Sequence, residues 1–507
     1  MKHLLPAALA LAVAATTPVY AQTMKPDATI AEIHKALADG SLTCRALVEG
    51  YLGRIAALDQ KGPKLNAVIT VNPRALETAE AMDKARKADP SKLGPLHCIP
   101  ILVKDNYDTA DMPTTGSSAV MKTSQPQRDA FTIAKLRAAG AIIIAKTTLT
   151  EFAMGGTSAG SLHGQTLNPY DLTRTPGGSS GGTGAGLAAG YAVFGTGSDT
   201  GQSIRSPSSA NSLVGIRSTR GLISRAGIIP LSFTQDEAGP LAHNVEDLAR
   251  ALDVFVGFDP ADPITAGGVP HIPKTYTSFL KADALKGKRI GILRQYFGTD
   301  AVHGEVNAVM AKNIDALKQA GAEVVEIQIQ NLNELTADMG TGEFETKAAF
   351  DLYIKNVGPK AAVKSYDEWI AAGKIHPVVL DQAKAAQKGS MADPKYAAIF
   401  IRRDNLRKAV LLAMAENKID AIAYPHQRRL VAKVGEEQLE RNGVLSNATG
   451  FPAITVPGGF STPTAQAPLG VPVGLEFLSR DWTEGELIGI AYAFEQATKY
   501  RKPPVFK

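Results

Sequence analysis

Apolar residues along this chain recur in two alternating rhythms, a helical period and short β-like runs. Thr29-Ile30-Ala31-Glu32 has the form of a helix-capping box, and Gly40 closes the helix it opens. In the segment that follows, Leu47, Val48, Tyr51, Leu52, Ile55 and Leu58 fall on one helical face. Strand-like runs then appear at 67–71, 99–103, 141–145, 192–196 and 289–293, and later at 419–424, 453–456 and 473–477. Helical patterns lie between them, among others at 130–139, 245–255, 306–320 and 484–498. Strands alternating with helices predict an α/β fold, a central mixed, mainly parallel β-sheet covered by helices on both faces. Residues 335–405 carry helical patterns with few strand signals, which predicts a helix-rich insertion that caps the site.

The first 21 residues do not fit this pattern. Lys2 and His3 precede an apolar run over 4–15, and the small, polar stretch 16–21 ends in Val19-Tyr20-Ala21. That is the layout of a secretory signal peptide cleaved after Ala21, with an apolar run too short to span a bilayer. The expectation is a single domain over 22–507, periplasmic or secreted, with no membrane association after cleavage. A chain that is 44% hydrophobic and 20% charged has the composition of an ordinary globular protein. Its formal charge is +5, with basic and acidic residues interspersed, so no nucleic-acid-binding surface is expected. A monomer or a homodimer is expected. The two cysteines, Cys44 and Cys98, could pair after export. One pair is not a disulfide framework, however, and the reading is two buried free thiols. Neither cysteine has metal-ligand spacing, and no metal or cofactor is expected.

The chemistry concentrates in residues 177–211, GGSSGGTGAGLAAGYAVFGTGSDTGQSIRSPSSAN. Two turns rich in glycine and serine, 177–182 and 199–205, are separated by a helix-like segment and a short apolar strand. Glycine lets the backbone approach a ligand closely, and consecutive turn N–H groups can line an anion site. A serine in such a nest is a candidate nucleophile with its oxyanion hole built in. Gly184-Ala185-Gly186-Leu187-Ala188-Ala189 fits a loose dinucleotide pattern, but it follows a turn and no GK[ST] accompanies it. G-x-S-x-G is satisfied with either Ser179 or Ser180 as nucleophile. An α/β-hydrolase elbow needs a strand running directly into it, whereas Asn168-Pro169 and Thr175-Pro176 precede this one. His243, His271, His303, His376 and His426 are available as bases, none in a distinctive setting.

Lys104 offers another base. It ends the almost wholly apolar strand in Gly94-Pro95-Leu96-His97-Cys98-Ile99-Pro100-Ile101-Leu102-Val103-Lys104-Asp105-Asn106. Desolvation disfavours the ammonium form, so a buried Lys104 can be neutral and accept a proton from a serine. Taken alone, the residue fits equally a lysine that snorkels at a strand end.

Together, these segments resemble the amidase signature family. The family's lysine block is matched at 94–106, its GGSSGGS block at 177–183 and its G-[ST]-D-T-G-G-S-I-R-x-P block at 197–207. The spacing also agrees, with 75 residues from Lys104 to Ser179 and 24 from Ser179 to Ser203. The resemblance extends over 29–498 and implies the amidase signature fold and a Ser–Ser–Lys triad. Ser203 would be the nucleophile, Ser179 the proton relay after a cis peptide bond with Gly178, and Lys104 the base. The N–H groups of Thr200, Gly201, Gln202 and Ser203 would form the oxyanion hole. Ser180 would support its turn. Asp199 and Arg205 would brace the loop, or Arg205 would meet an acidic substrate. The implied reaction cleaves a small-molecule amide to a carboxylate plus an amine or ammonia. Pocket walls are expected from 153–164, 335–405 and 424–447. Two positions depart from the family pattern: Cys98 and Gln202 stand where it has glycine. Other readings are an esterase or carbamate hydrolase with the same triad, and a periplasmic binding protein that has lost turnover.

Overall fold

The computed structural model describes residues 25–506, so the signal-peptide reading for 1–21 lies outside the described residues. The capping box forms: Thr29 Oγ1 accepts the Glu32 N–H at 3.1 Å, and the Glu32 carboxylate accepts the Thr29 N–H at 2.8 Å. Among the described residues the strands are β1 (Val68–Val71), β2 (Ile99–Lys104), β3 (Ala141–Thr147), β4 (Ala159–Gly160), β5 (Gly164–Gln165), β6 (Phe194–Asp199), β7 (Val214–Arg217), β8 (Glu237–Ala242), β9 (Arg289–Leu293), β10 (Glu323–Ile327), β11 (Ala421–Pro425), β12 (Ala453–Phe460) and β13 (Pro472–Leu478). β4 and β5 make a small ribbon, and the other eleven form one sheet in the order β1-β3-β2-β6-β8-β7-β12-β13-β11-β9-β10.

The sheet is mixed and covered by helices. β2 runs parallel to β3 and β6, and β9 runs parallel to β10 and β11. The pairings that join these two parallel groups through β8, β7, β12 and β13 are antiparallel. Every residue of β2, β3 and β6 is buried, as expected for central strands covered on both faces. Because β2 and β6 are parallel neighbours, Lys104 and Asp199 end at the same carboxyl edge, where α/β sheets place their sites.

Three sheet strands lie outside the runs read from sequence. β8 contains Glu237, Gly239 and Pro240, a composition that argues against a central strand. It forms because β6 and β7 pair with it on either side. β7 has four residues only, and β10 is an edge strand with both glutamates exposed. The helix-rich stretch is present as Gly342–Val357, Tyr366–Ala371, Pro377–Lys388 and Pro394–Glu416. The first three bury Phe350, Tyr366 and Trp369 against Phe152 and Met154, with the Phe152 and Trp369 rings 4.7 Å apart.

The expectation of two free thiols is corrected: Cys44 and Cys98 form a disulfide, with Cα atoms 5.3 Å apart. The pairing joins the helix Cys44–Leu58 to the residue just before β2, a contact across 54 residues that no local pattern announces. Cys98 has φ +64°, the left-handed region that favours glycine, so the side chain occupies a backbone conformation suited to the family's glycine. Closing a loop of this length contributes about 4 kcal/mol by restricting the unfolded chain. The expected results are no free thiol in the unreduced denatured protein by thiol titration, and for Cys44→Ala a loss of about 2–5 kcal/mol in denaturant unfolding. Two titratable thiols in fresh protein would contradict the pairing.

Candidate active site

Lys104 is fully buried at the end of β2. Its Nζ lies 2.8 Å from Ser179 Oγ, 2.8 Å from Ser198 Oγ and 3.3 Å from the Ser198 carbonyl oxygen. A neutral amine suits this geometry, with two N–H donors for the two Ser198 oxygens and one lone pair for the Ser179 hydroxyl. Burial pushes the lysine down to about 7, and the more distant charges of Asp199 and Asp236 oppose that only in part. Asn106 Nδ2 donates to Ser198 Oγ at 2.9 Å and fixes that hydroxyl. Neither Ser198 nor Asn106 was singled out from sequence, although both lie inside the matched blocks. Lys146, equally buried, makes the contrast: its Nζ is 3.1 Å from Asp105 Oδ1. One buried lysine has a carboxylate partner and the other has hydroxyls.

Ser179 follows a cis peptide bond from Gly178. Its carbonyl accepts the Thr150 N–H at 3.1 Å. Ser158 Oγ donates to the Gly177 carbonyl at 2.8 Å and accepts the Gly181 N–H at 3.0 Å, which ties the turn to the 153–164 loop. The two serine turns are joined directly, because the Ser180 N–H donates to the Ser203 carbonyl at 3.2 Å. The helix Gly181–Ala188 that follows is so close to its neighbours that a Cβ on Gly182 would sit 2.5 Å from the Thr148 backbone nitrogen.

The second turn is held from below. Arg205 is wholly buried; its Nε reaches Asp199 Oδ2 at 3.1 Å, Nη1 reaches Glu476 Oε1 at 2.6 Å, and Nη2 reaches the Gly201 carbonyl at 2.6 Å. Arg217 adds a bond to Asp199 Oδ1 at 3.2 Å. Burial alone would raise the Asp199 carboxyl, but Arg205 and Arg217 override it and hold the group well below the usual carboxylate range. Glu476, on β13, also takes Tyr424 at 2.9 Å and His426 at 2.6 Å. Of the two roles implied for Arg205, this geometry leaves bracing, since no surface of the guanidinium faces solvent.

Above this clamp, no protein acceptor among the described residues takes the N–H groups of Thr200, Gly201, Gln202 or Ser203, whereas the Ile204 N–H bonds to Asp199 Oδ2 at 3.1 Å. Ser203 is 6% exposed, and its hydroxyl has no protein partner among the described residues. The backbone at Gln202 stays outside the left-handed region, so the non-glycine residue adds no strain there. Its side chain packs on Gly443, where a Cβ would lie 2.6 Å from that of Gln202. Asn447 Nδ2 donates to the Gly201 carbonyl at 3.1 Å, so the expected 424–447 wall does touch the loop. Beside Thr200 and Ser198 opens a pocket of about 190 Å³, walled by Ile228, Ile229, Leu231 and Leu352. Among the described residues, one group of His, Cys and acidic side chains has metal-ligand proximity: Cys44, His97 and Cys98, with atoms within 4.8 Å. The disulfide consumes both sulfurs.

A mixed α/β sheet with these serine turns and a buried lysine at its edge defines a hydrolase of the amidase signature type. The chain belongs to the amidase family, whose model matches residues 46–488. It is 34% identical to a probable amidase from Arabidopsis thaliana, over 95% of this chain and 92% of that one. It is 30% identical to a glutamyl-tRNA(Gln) amidotransferase subunit from Bdellovibrio bacteriovorus, over 93% and 97% of the two chains. The crystal structure of the peptide amidase from Stenotrophomonas maltophilia superposes with a TM-score of 0.84 at 34% identity, covering 95% of this chain and 99% of that one. The protein is thus an enzyme that hydrolyses amide carbon–nitrogen bonds.

The clamp under the second turn makes a direct prediction. Arg205→Ala leaves Glu476 buried without an arginine and Asp199 with Arg217 alone, and such losses cost about 3–5 kcal/mol. Arg205→Lys cannot reach two carboxylates and a carbonyl at once. Both variants are expected to lower the unfolding free energy and kcat together. Wild-type stability in Arg205→Lys would show that the fork geometry is dispensable.

Proposed function

We propose that this enzyme cleaves small-molecule amides through an acyl-enzyme on Ser203, with Ser179 as proton relay and Lys104 as base. The observation that carries this reading is the 2.8 Å contact between Lys104 Nζ and Ser179 Oγ in a site where no carboxylate touches the lysine. A neutral Lys104 draws the Ser179 proton, Ser179 in turn takes the proton of Ser203, and the Ser203 oxygen attacks the amide carbonyl. The unpaired N–H groups of residues 200–203 receive the oxyanion, at donor positions each worth about 3–4 kcal/mol in comparable sites. The proton then returns from Lys104 through Ser179 to the leaving nitrogen, and water attacking the Ser203 ester releases the carboxylate. The pocket beside Thr200 suits an apolar acyl or amine substituent. The peptide amidase relative fits this picture in that a peptide amide presents both an amide carbonyl and a side chain for such a pocket.

We infer an oxidising compartment as well. The Cys44–Cys98 disulfide supports export, in line with the leader pattern of residues 1–21. Expression in a bacterial host with intact secretion is expected to yield a mature chain beginning at Gln22, measured by intact mass. A cytoplasmic chain retaining Met1 would overturn it.

Lys104→Ala, Ser179→Ala and Ser203→Ala are each expected to lower kcat by about 10³-fold or more with the fold intact, as losses of groups that act as a unit do. Peptide mapping after a fluorophosphonate should place the label on Ser203; label on Ser179 or Ser180 would overturn the assignment. Protonating Lys104 removes its lone pair, so kcat/KM should fall as pH drops through about 7. An acid limb set near 4 instead would point to a carboxylate base. Matched amide and ester substrates separate this reading from a pure esterase.

A further inference from the structure

Arg441 differs from the other deeply placed arginines in having no side-chain hydrogen-bond partner among the described residues; Arg403, which also lacks a carboxylate, donates to the Met339 carbonyl at 2.8 Å and to Thr234 Oγ1 at 3.2 Å. Arg205, Arg217 and Arg225 each have a carboxylate partner. Arg441 has none among the described residues. The carboxylate next to it in sequence, Glu440, is engaged by Arg429 Nε at 2.5 Å and His303 Nε2 at 3.2 Å. Asn442, on its other side, spends its amide on the carbonyls of Tyr296 and Pro425 at 2.9 and 2.7 Å. The one charge that acts on the Arg441 guanidinium is Asp199, which Arg205 and Arg217 already hold. Burial lowers the group to about 10, so it is a cation at neutral pH.

Its position is set by missing side chains. A Cβ on Gly156 would collide with Arg441 Nη1 and fall 3.0 Å from Cζ, so the guanidinium lies directly on that glycine. Gly156 in turn abuts Gly178, whose own Cβ would fall 2.8 Å from the Gly156 carbonyl carbon. Gly178 immediately precedes Ser179. Two residues beyond Arg441, Gly443 makes room for Gln202, whose buried Oε1 has no hydrogen-bond partner among the described residues. A half-buried cation with no hydrogen-bond partner among the described residues thus sits against the loop that adjoins the first serine turn, and Gln202 lies in the second. A guanidinium fork is matched by a carboxylate, whereas the Gln202 oxygen is an acceptor and would take an N–H of the same ligand.

We propose that Arg441, flanked by Gln202, forms a subsite for a carboxylate carried by the substrate, so that preferred substrates are amides bearing a second, anionic carboxyl group. The inference rests on the amidase reading and narrows it. The carboxylate can belong to the acyl part or to the leaving amine, and two substrate series distinguish these sources. Succinamate and glutaramate are compared with butyramide and valeramide, and N-acylglycines with the matching N-acyl ethylamines.

The wild-type enzyme is expected to favour the anionic member of one series in kcat/KM. Arg441→Gln should shrink that preference roughly 10- to 100-fold, the scale of a hydrogen bond to a charged group, with the change mainly in KM. Arg441→Lys should restore part of it. Gly156→Ala, which displaces the guanidinium, should shrink the same ratio. Equal rates on anionic and neutral members in both series would overturn the inference alone, as would a preference that Arg441→Gln leaves intact. No turnover of any amide, together with no fluorophosphonate label on Ser203, would overturn the amidase mechanism and this subsite with it.

Discussion

The site depends on keeping one amine out of water and out of reach of any carboxylate. Lys104 sits at the end of a strand whose six residues are all buried, and every group that touches its Nζ is a hydroxyl or a carbonyl. Desolvation then disfavours the ammonium with no contact ion pair to restore it. Lys146, on the next strand and equally buried, has a carboxylate beside it instead, with Asp105 Oδ1 3.1 Å away. Two lysines on adjacent parallel strands thus differ in their partners, hydroxyls and a carbonyl for one and a carboxylate for the other. The parallel pairing of β2 with β6 then brings the amine to the edge where the second turn begins.

That turn gets its rigidity from charge buried beneath it. Arg205 reaches Asp199, Glu476 and the Gly201 carbonyl at once, and Arg217 completes the pairing of Asp199. A fully desolvated network is favourable only when its members are paired, so it tolerates few backbone arrangements. The arrangement it selects leaves four successive N–H groups without acceptors among the described residues. Satisfaction below the loop and vacancy above it are two sides of one geometry. The cost is confined to atoms that a substrate oxygen can satisfy.

Much of the site was legible in sequence because its parts are local. Two turns within 29 residues carry both serines, the braced Asp199 and Arg205, and the N–H donors. Lys104 was ambiguous by itself, since a strand-end lysine reads the same whether it snorkels or is buried. What resolved it was the match of three blocks in order, and the contact itself is a long-range one across 75 residues. The features that escaped are also long-range. The Cys44–Cys98 bond depends on how a helix lies against the start of β2, and nothing near either cysteine reports that. β8 was invisible because its Glu, Gly and Pro have poor strand propensity, which pairing on both sides overrides. Ser198 and Glu476 were missed because their importance lies in partners, not in pattern.

The Gln202 departure shows how a site absorbs a change at a position built for glycine. The backbone at 202 keeps an ordinary conformation, so the N–H remains where a glycine would present it. The added side chain needs volume, and Gly443 supplies it from a segment more than 200 residues away. The same segment carries Arg441, which lies on Gly156 as Gln202 lies on Gly443. Two glycines on separate loops thus make room for two polar side chains beside the serine turns. The reacting groups keep their places while the polar lining around them is altered, which is how one hydrolytic centre can be turned toward a different amide.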